Sequence, residues 1–279
     1  MNLPETPFFS VIVCSINALR LTQISECYET LLADFPHEII GIRNARSLAE
    51  GYNRALQRAR GDIVIFSHDD ILILDADFAR KISARIREFD LLGFAGASRV
   101  VADKWWSAGF PWLSGVVGAV HEEKLYLNIW NPEPWPVVDN IQCIDGLCMI
   151  ARREVAEEIG FDEVTFDDFH LYDLDFSFSA YRAGKKLGVC CDIPIIHAST
   201  GSYDQKHAYY GQRFIEKHRD AIPTDVPIPE PENAVGDGGI FAGLPDHLTL
   251  CATWQEESIR SKFAAYRQQC EKALQTQAT

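Results

Sequence analysis

Short apolar runs separated by amphipathic stretches set the rhythm of the first hundred residues. Phe8 to Cys14 is continuously apolar and rich in β-branched side chains, and Leu21, Ile24, Cys27, Tyr28, Leu31 and Leu32 follow at helical spacing. Glu38 to Ile42 repeats the strand pattern. Ser47, with Glu50 three residues on, then makes a capping box that opens a helix striped by Leu48, Tyr52, Ala55, Leu56 and Ala59. Asp62 to Ser67 reads as a third buried strand ending in His68-Asp69-Asp70; Phe78, Ile82, Ile86 and Phe89 mark another helix, and Leu91 to Ser98 a fourth strand. Repeated strand-helix units with apolar strands predict an α/β fold, a mostly parallel central sheet flanked by helices, whose ligands gather at the carboxyl ends of the strands.

From about Trp105 the periodicity fades, and Trp105, Trp106, Trp112, Trp130 and Trp135 fall among Pro, Gly and Asn as in a long aromatic insertion. Regular patterning returns with an apolar segment from Gly146 to Ala151. A short helix from Arg153 to Ile159 ends at Gly160, a helix around Asp173 to Ala183 ends at Gly184, and a strand pair lies within Lys186 to Ile196. The pattern divides the chain into a flexible tail (1–7), one domain (8–220), a Pro-, Gly- and acid-rich linker (221–247) and an amphipathic C-terminal helix (248–279). Trp254, Ile259, Phe263, Tyr266 and Cys270 share one face of that helix, which must pack within the chain or pair with a second copy in a homo-oligomer.

Composition narrows the function. Among 279 residues, 26 Lys and Arg face 40 Asp and Glu, and a net charge of −14 has the wrong sign for holding nucleic acid or anionic lipid. A small phosphate ligand remains compatible where backbone N–H groups, one or two basic residues or a divalent cation neutralise it. No apolar run approaches the roughly 20 residues of a membrane span. The N-terminus lacks the basic flank and apolar core of a secretory signal, so the chain is expected in the cytoplasm. Eight cysteines without paired CxxC spacing read as reduced, mostly buried thiols.

Three places carry candidate chemistry. Acidic groups bunched where a strand leaves the sheet, as in His68-Asp69-Asp70, repel one another unless a cation lies between them, which points to an oxygen-rich site for Mg or Mn; the plainer alternative is a solvated, capped turn. In Tyr172-Asp173-Leu174-Asp175, the two aspartates lie about 200° apart on a helix and cannot serve one site equally. Asp173 at the helix start is expected to stay ionised and able to act as a base, or simply to complement the helix dipole, while Asp175 is expected to tolerate Asn far better than Asp173 unless its own hydrogen bonds support the fold. His197 ends an apolar strand and can complete a carboxylate metal site, although a lone His there is more often structural.

The order of these motifs resembles the GT-A glycosyltransferases, in particular the inverting family-two transferases, over about Phe8 to Ser202. It is most similar to a bacterial branch whose metal motif reads His-x-Asp, here FSHDDI, followed by HxYD, here His170-Leu171-Tyr172-Asp173, and by His-x-Ser, here His197-Ala198-Ser199. The resemblance implies that Ser15, Asn17, Asn44 and Asn53 shape a nucleotide-sugar pocket, that Asp70 and His197 bind the divalent metal, and that Asp69 contacts ribose or phosphate. His68 stands where the first acid of the motif usually is; a neutral imidazole there could bind ribose, metal or neither. Asp173 matches the general base, with Tyr172 in place of a Glu, and Asp145, Trp105 and Trp106 join Tyr172 as candidates for the acceptor side. The implied reaction moves a sugar from a nucleotide-sugar donor to a hydroxyl of a glycan or other acceptor with inversion. Alternatives are a GT-A-like carbohydrate- or partner-binding module without turnover and a sugar nucleotidyltransferase, although CSINALR lacks the Gly-rich loop that such an enzyme, or a dinucleotide oxidoreductase, places after its first strand.

Overall fold

Side-chain caps start the first two helices, the second at Ser47 as the sequence pattern put it. The computed structural model describes residues 3–109, 111–121, 124–129, 136–199, 203–223 and 226; Trp130, Trp135, most of the 221–247 linker and the whole 248–279 stripe lie outside them. Strand β1 (Phe9–Cys14) leads to α1 (Ala18–Leu31), capped by Asn17, whose side chain accepts the Leu19 and Arg20 N–H groups. Strand β2 (His37–Ile42) leads to α2 (Leu48–Leu56), capped by Ser47, with Glu50 reaching back to the Arg46 N–H at 2.9 Å. Strand β3 (Ile63–Ser67) is buried along its whole length and, like β2, pairs parallel with β1.

The remaining elements are β4 (Ile71–Ile73), α3 (Phe78–Arg85), β5 (Leu91–Gly93), β6 (Ala95–Ala97), a 3-10 turn (Trp105–Ala108), β7 (Leu113–His121), β8 (Lys124–Ile129), β9 (Val137–Val138), β10 (Cys143–Ile144), β11 (Cys148–Arg152), α4 (Arg153–Ile159), α5 (Tyr172–Arg182), β12 (Leu187–Cys190), β13 (Ile195–His197) and α6 (Gln205–Lys217). Among the described residues they form two sheets. The central one has seven strands in the order β2-β1-β3-β11-β5-β12-β9, and a six-stranded one runs β10-β6-β7-β13-β4 with β8 beside β7. Strands β1, β2, β3, β5 and β12 run one way, while β11 and β9 run against them. The expected α/β architecture, a largely parallel central sheet flanked by helices, is present, with one antiparallel strand inserted at its middle.

Three expectations need correction. Leu91 to Ser98 is two strands, because the chain leaves the central sheet at Phe94 and enters the second one as β6. A side chain at Gly93 would place its Cβ 2.1 Å from Ile144, so this passage requires glycine. The segment after Trp105 contains the long strand β7 and its partner β8, hidden from pattern reading because Gly115 and Gly118 interrupt the apolar alternation. The two strands within Lys186 to Ile196 do not pair with each other; β12 joins the central sheet and β13 the second. Near the N-terminus, the Arg87 guanidinium donates to the Leu3, Pro4 and Glu5 carbonyls. All six described cysteines are free thiols, and no described helix is long and apolar enough to cross a membrane.

Asp175 meets the condition under which it would not be permissive: its own hydrogen bonds support the fold. It is buried, with the His218 Nε2 at 2.8 Å and the Lys217 ammonium at 2.8 Å, and so ties α5 to the end of α6. Removing one member of such a buried pair strands the other charge. Asp175→Ala should therefore lower stability by about 3 kcal/mol in chemical denaturation; a loss below about 0.5 kcal/mol, the ordinary surface value, would mean that α6 is held by other contacts.

Candidate functional site

The acidic triplet and a turn holding Asp145 both lie where the chain crosses between the two sheets. His68-Asp69-Asp70 joins β3 in the central sheet to β4 in the second, and Asp145-Gly146-Leu147 joins β10 in the second to β11 in the central one. The His68 N–H donates to the Leu147 carbonyl at 3.0 Å, fastening one crossing to the other. The ladder between β13 and β4 sets His197 opposite Ile71, and the Ala198 N–H donates to the Asp70 carbonyl at 2.9 Å, so residues far apart in sequence meet at one point.

At that point the His197 Nε2 lies 3.2 Å from the His68 Nδ1, 3.3 Å from the Asp70 Oδ1 and 3.2 Å from the Ser199 Oγ. One ring nitrogen carries one proton or one lone pair, so it cannot satisfy three polar neighbours at once. A divalent ion bonded at about 2.0–2.2 Å sets adjacent ligand atoms about 3.0–3.5 Å apart, which matches these separations. The ligand atoms of His68, Asp70 and His197 all lie within 4.8 Å of one another and could hold such an ion. The electrostatics agree. Burial alone would raise the Asp70 carboxyl, but the hydrogen bond and charge of His197, with the charge of His68, hold it well below the usual range. Burial and the neighbouring His197 push the His68 imidazole down, towards the neutral form that binds metals, whereas Asp70 draws His197 up against the effect of burial.

Around this cluster the other candidates divide. The Ser15 hydroxyl lies 2.5 Å from the Asp69 Oδ2, and Arg20 stands 3.9 Å from the same carboxylate, so the mouth of β1 meets the β3–β4 crossing. Asn17 is occupied as the α1 cap. Asn44 is exposed and meets Arg54 through its backbone carbonyl, and the Asn53 amide is spent on the Phe161 backbone and Glu163. Neither is joined to the cluster by a hydrogen bond.

The second half of the site is the start of α5. Leu171 adopts a left-handed conformation (φ 61°) at a cost of about 1 kcal/mol, turning the chain so that Tyr172 and Asp173 point at the crossings while His170 faces His207 and Tyr210 of α6. The Tyr172 hydroxyl is hydrogen-bonded to the His68 Nε2 at 2.7 Å, and its ring packs on Tyr52 and Phe161 beside the stacked Phe161–Phe176 pair. Asp173 accepts the Gly146 N–H at 2.8 Å. Helix-start N–H groups were expected to keep Asp173 ionised. They do pull its carboxyl down, but burial and the charge of Asp145 outweigh them and raise it to about 7. Asp145 accepts the Trp105 indole N–H at 2.7 Å, and Trp106 lies 3.4 Å from the Tyr203 hydroxyl.

Residues 10–218 match the family described as a glycosyltransferase-like family, three-quarters of the chain, and the chain belongs to it. Over 97 residues, 35% of the chain, it is 41% identical to the uncharacterised glycosyltransferase YfnE of Bacillus subtilis (strain 168), a match spanning 23% of that protein. Among solved structures, the mannosyltransferase PcManGT from Pyrobaculum calidifontis, in complex with GDP-Man and Mn2+, superposes with a TM-score of 0.45 at 14% identity, covering 100% of this chain and 77% of that one. GalNAc-T7 with UDP, GalNAc and Mn2+ gives 0.46 at 12% identity over 76% of this chain and 48% of its own.

Pattern reading did not single out Gly146 as a contact. A Cβ there would fall 2.3 Å from the Tyr172 hydroxyl and 2.8 Å from the Asp173 Cβ. The one signal in the sequence was a Gly just ahead of an apolar strand. Gly146→Ala should leave a folded protein in which Tyr172 and Asp173 are displaced, with transfer activity reduced by roughly 100-fold; full activity in a crystallographically confirmed variant would mean that the approach is not needed.

Proposed function

We propose that the chain is a metal-dependent, inverting glycosyltransferase that moves a sugar from a nucleoside-diphosphate donor to a hydroxyl of a glycan or other acceptor. The observation carrying this reading is the convergence of His68, Asp70 and His197 beside Asp173, linked through Tyr172 and Gly146. His68, Asp70 and His197 would hold the ion, and two imidazoles with one carboxylate favour Mn2+ over Mg2+. When bound, such an ion supplies positive charge where the leaving diphosphate gathers negative charge.

The chain's own residues account for the rest. Ser15, Asn17 and Asp69 border the cluster from the β1 side and are assigned to the nucleotide; Asn44 and Asn53 would serve it only by shaping the wall around α2. Asp173 takes the acceptor proton, and the Gly146 N–H orients the oxygen that does so. A carboxylate whose proton leaves near pH 7 is well matched to that task. Trp105 and Trp106 offer flat faces on the acceptor side, against which sugar C–H groups can stack.

Calorimetry with Mn2+ and UDP, dTDP or GDP tests the ion site. Asp70→Ala should abolish metal-dependent nucleotide binding with the fold intact, and unchanged affinity would remove the ion from the reading. Asp173→Asn tests the base. Nucleotide affinity should survive while transfer falls by roughly two to four orders of magnitude.

The pH profile supplies the sign. Asp173 accepts a proton only when ionised, so the wild-type rate should fall tenfold per unit below about pH 7 and level off above it. Transfer by Asp173→Asn at the wild-type rate would move the base elsewhere.

A further inference from the structure

Asp145 is the second carboxylate at the β10–β11 crossing, and nothing in the proposed reaction yet uses it. Both its oxygens are engaged: Oδ2 accepts the Trp105 indole N–H at 2.7 Å, and Oδ1 accepts the Leu147 N–H at 2.9 Å. Between them in sequence, Gly146 turns its own N–H to the Asp173 Oδ2 at 2.8 Å. Two carboxylates from different elements therefore bind one three-residue turn. Trp105 anchors the arrangement from the 3-10 turn, an element that otherwise belongs to the aromatic insertion.

The surroundings of Asp173 make Asp145 the charge that matters. Facing it are Tyr52 from α2, Cys143 from β10, Tyr172 from its own helix and Tyr203 from the segment before α6. Burial pushes the phenols and the thiol up, so all four are neutral near pH 7. Of the charged neighbours, Asp145 acts most strongly on Asp173. A negative charge held in place by donors on both oxygens disfavours a second negative charge beside it.

We propose that Asp145 is a positioning residue for Asp173: anchored by the Trp105 indole, it holds the 145–147 turn so that the Gly146 N–H meets Asp173, and its negative charge tunes Asp173 as a proton acceptor. The catalytic meaning rests on Asp173 being the base; the physical coupling does not. Trp105 is then more than a stacking surface, because its ring nitrogen determines where the Asp145 charge sits.

The test is a 13C titration of the aspartate carboxyls in the full-length chain, with the Asp173 resonance assigned by its disappearance in Asp173→Asn. Replacing Asp145 by Asn removes the like charge, so the Asp173 midpoint should fall by about one pH unit. Trp105→Phe keeps the ring but removes the indole N–H that anchors Asp145, freeing its carboxylate to turn away, and the midpoint should move in the same direction. A buried residue with a merely structural role would alter the melting temperature without moving that titration. An unmoved midpoint in a folded Asp145→Asn protein overturns the proposal, and should that variant fail to fold, an unmoved midpoint in Trp105→Phe does so. The outcome is separable from the base assignment: Asp173→Asn with full transfer removes the base but leaves a shifted titration standing, whereas an inactive Asp173→Asn with no shift removes only the role of Asp145.

Discussion

One backbone hydrogen bond, from the His68 N–H to the Leu147 carbonyl, joins two of the places where the chain changes sheets, the β3–β4 and β10–β11 crossings. Strands end there, and their N–H and C=O groups lose ladder partners that must be replaced. Asp145 and Asp173 supply two replacements by accepting the Leu147 and Gly146 N–H groups. The seam thus concentrates carboxylates for structural reasons, and that same concentration is what gives the site its chemistry. A ligand lying at the end of β3 would sit against this seam, as ligands of open α/β sheets do where the strand order switches.

The carboxylates at the seam are held in opposite states. Asp70, beside two imidazoles, is driven towards the ionised form, while Asp173, in a pocket of neutral phenols with Asp145 nearby, keeps its proton to near neutrality. Environments that push like groups apart in this way are what the proposed division between a cation ligand and a proton acceptor requires. The aromatic packing of Tyr52, Phe66, Phe161 and Phe176 behind Tyr172 excludes water from one side and makes that division possible.

Much of the first half was legible in the chain. Continuous apolar runs followed by amphipathic stretches, the second opened by Ser47 and Glu50, read as buried strands followed by helices; the strands formed within one residue of their expected ends and the helices within three, while the cap at Asn17 was not read from the chain. The His68-Asp69-Asp70 triplet was recognisable because charges of one sign do not collect at a buried strand end without cause. Asn53 shows the opposite case: a polar residue on an amphipathic helix carries no mark of whether its amide will face a ligand or, as here, the Phe161 backbone.

Sequence alone determined the strand-helix alternation, the acidic triplet and the helix beginning at Tyr172, because each is a local matter of periodicity, capping and like-charge repulsion. Tertiary structure decided the passage of β5 into β6, the insertion of β11 against its neighbours, the meeting of His68 with His197 and the raised carboxyl of Asp173. Each of these depends on which strand pairs with which far along the chain or on how much water is excluded, and neither quantity is written in any local window of the chain. Asp175 makes the distinction within a single helix turn: its phase relative to Asp173 followed from helical geometry, but its burial against Lys217 and His218 followed only from where α6 came to rest.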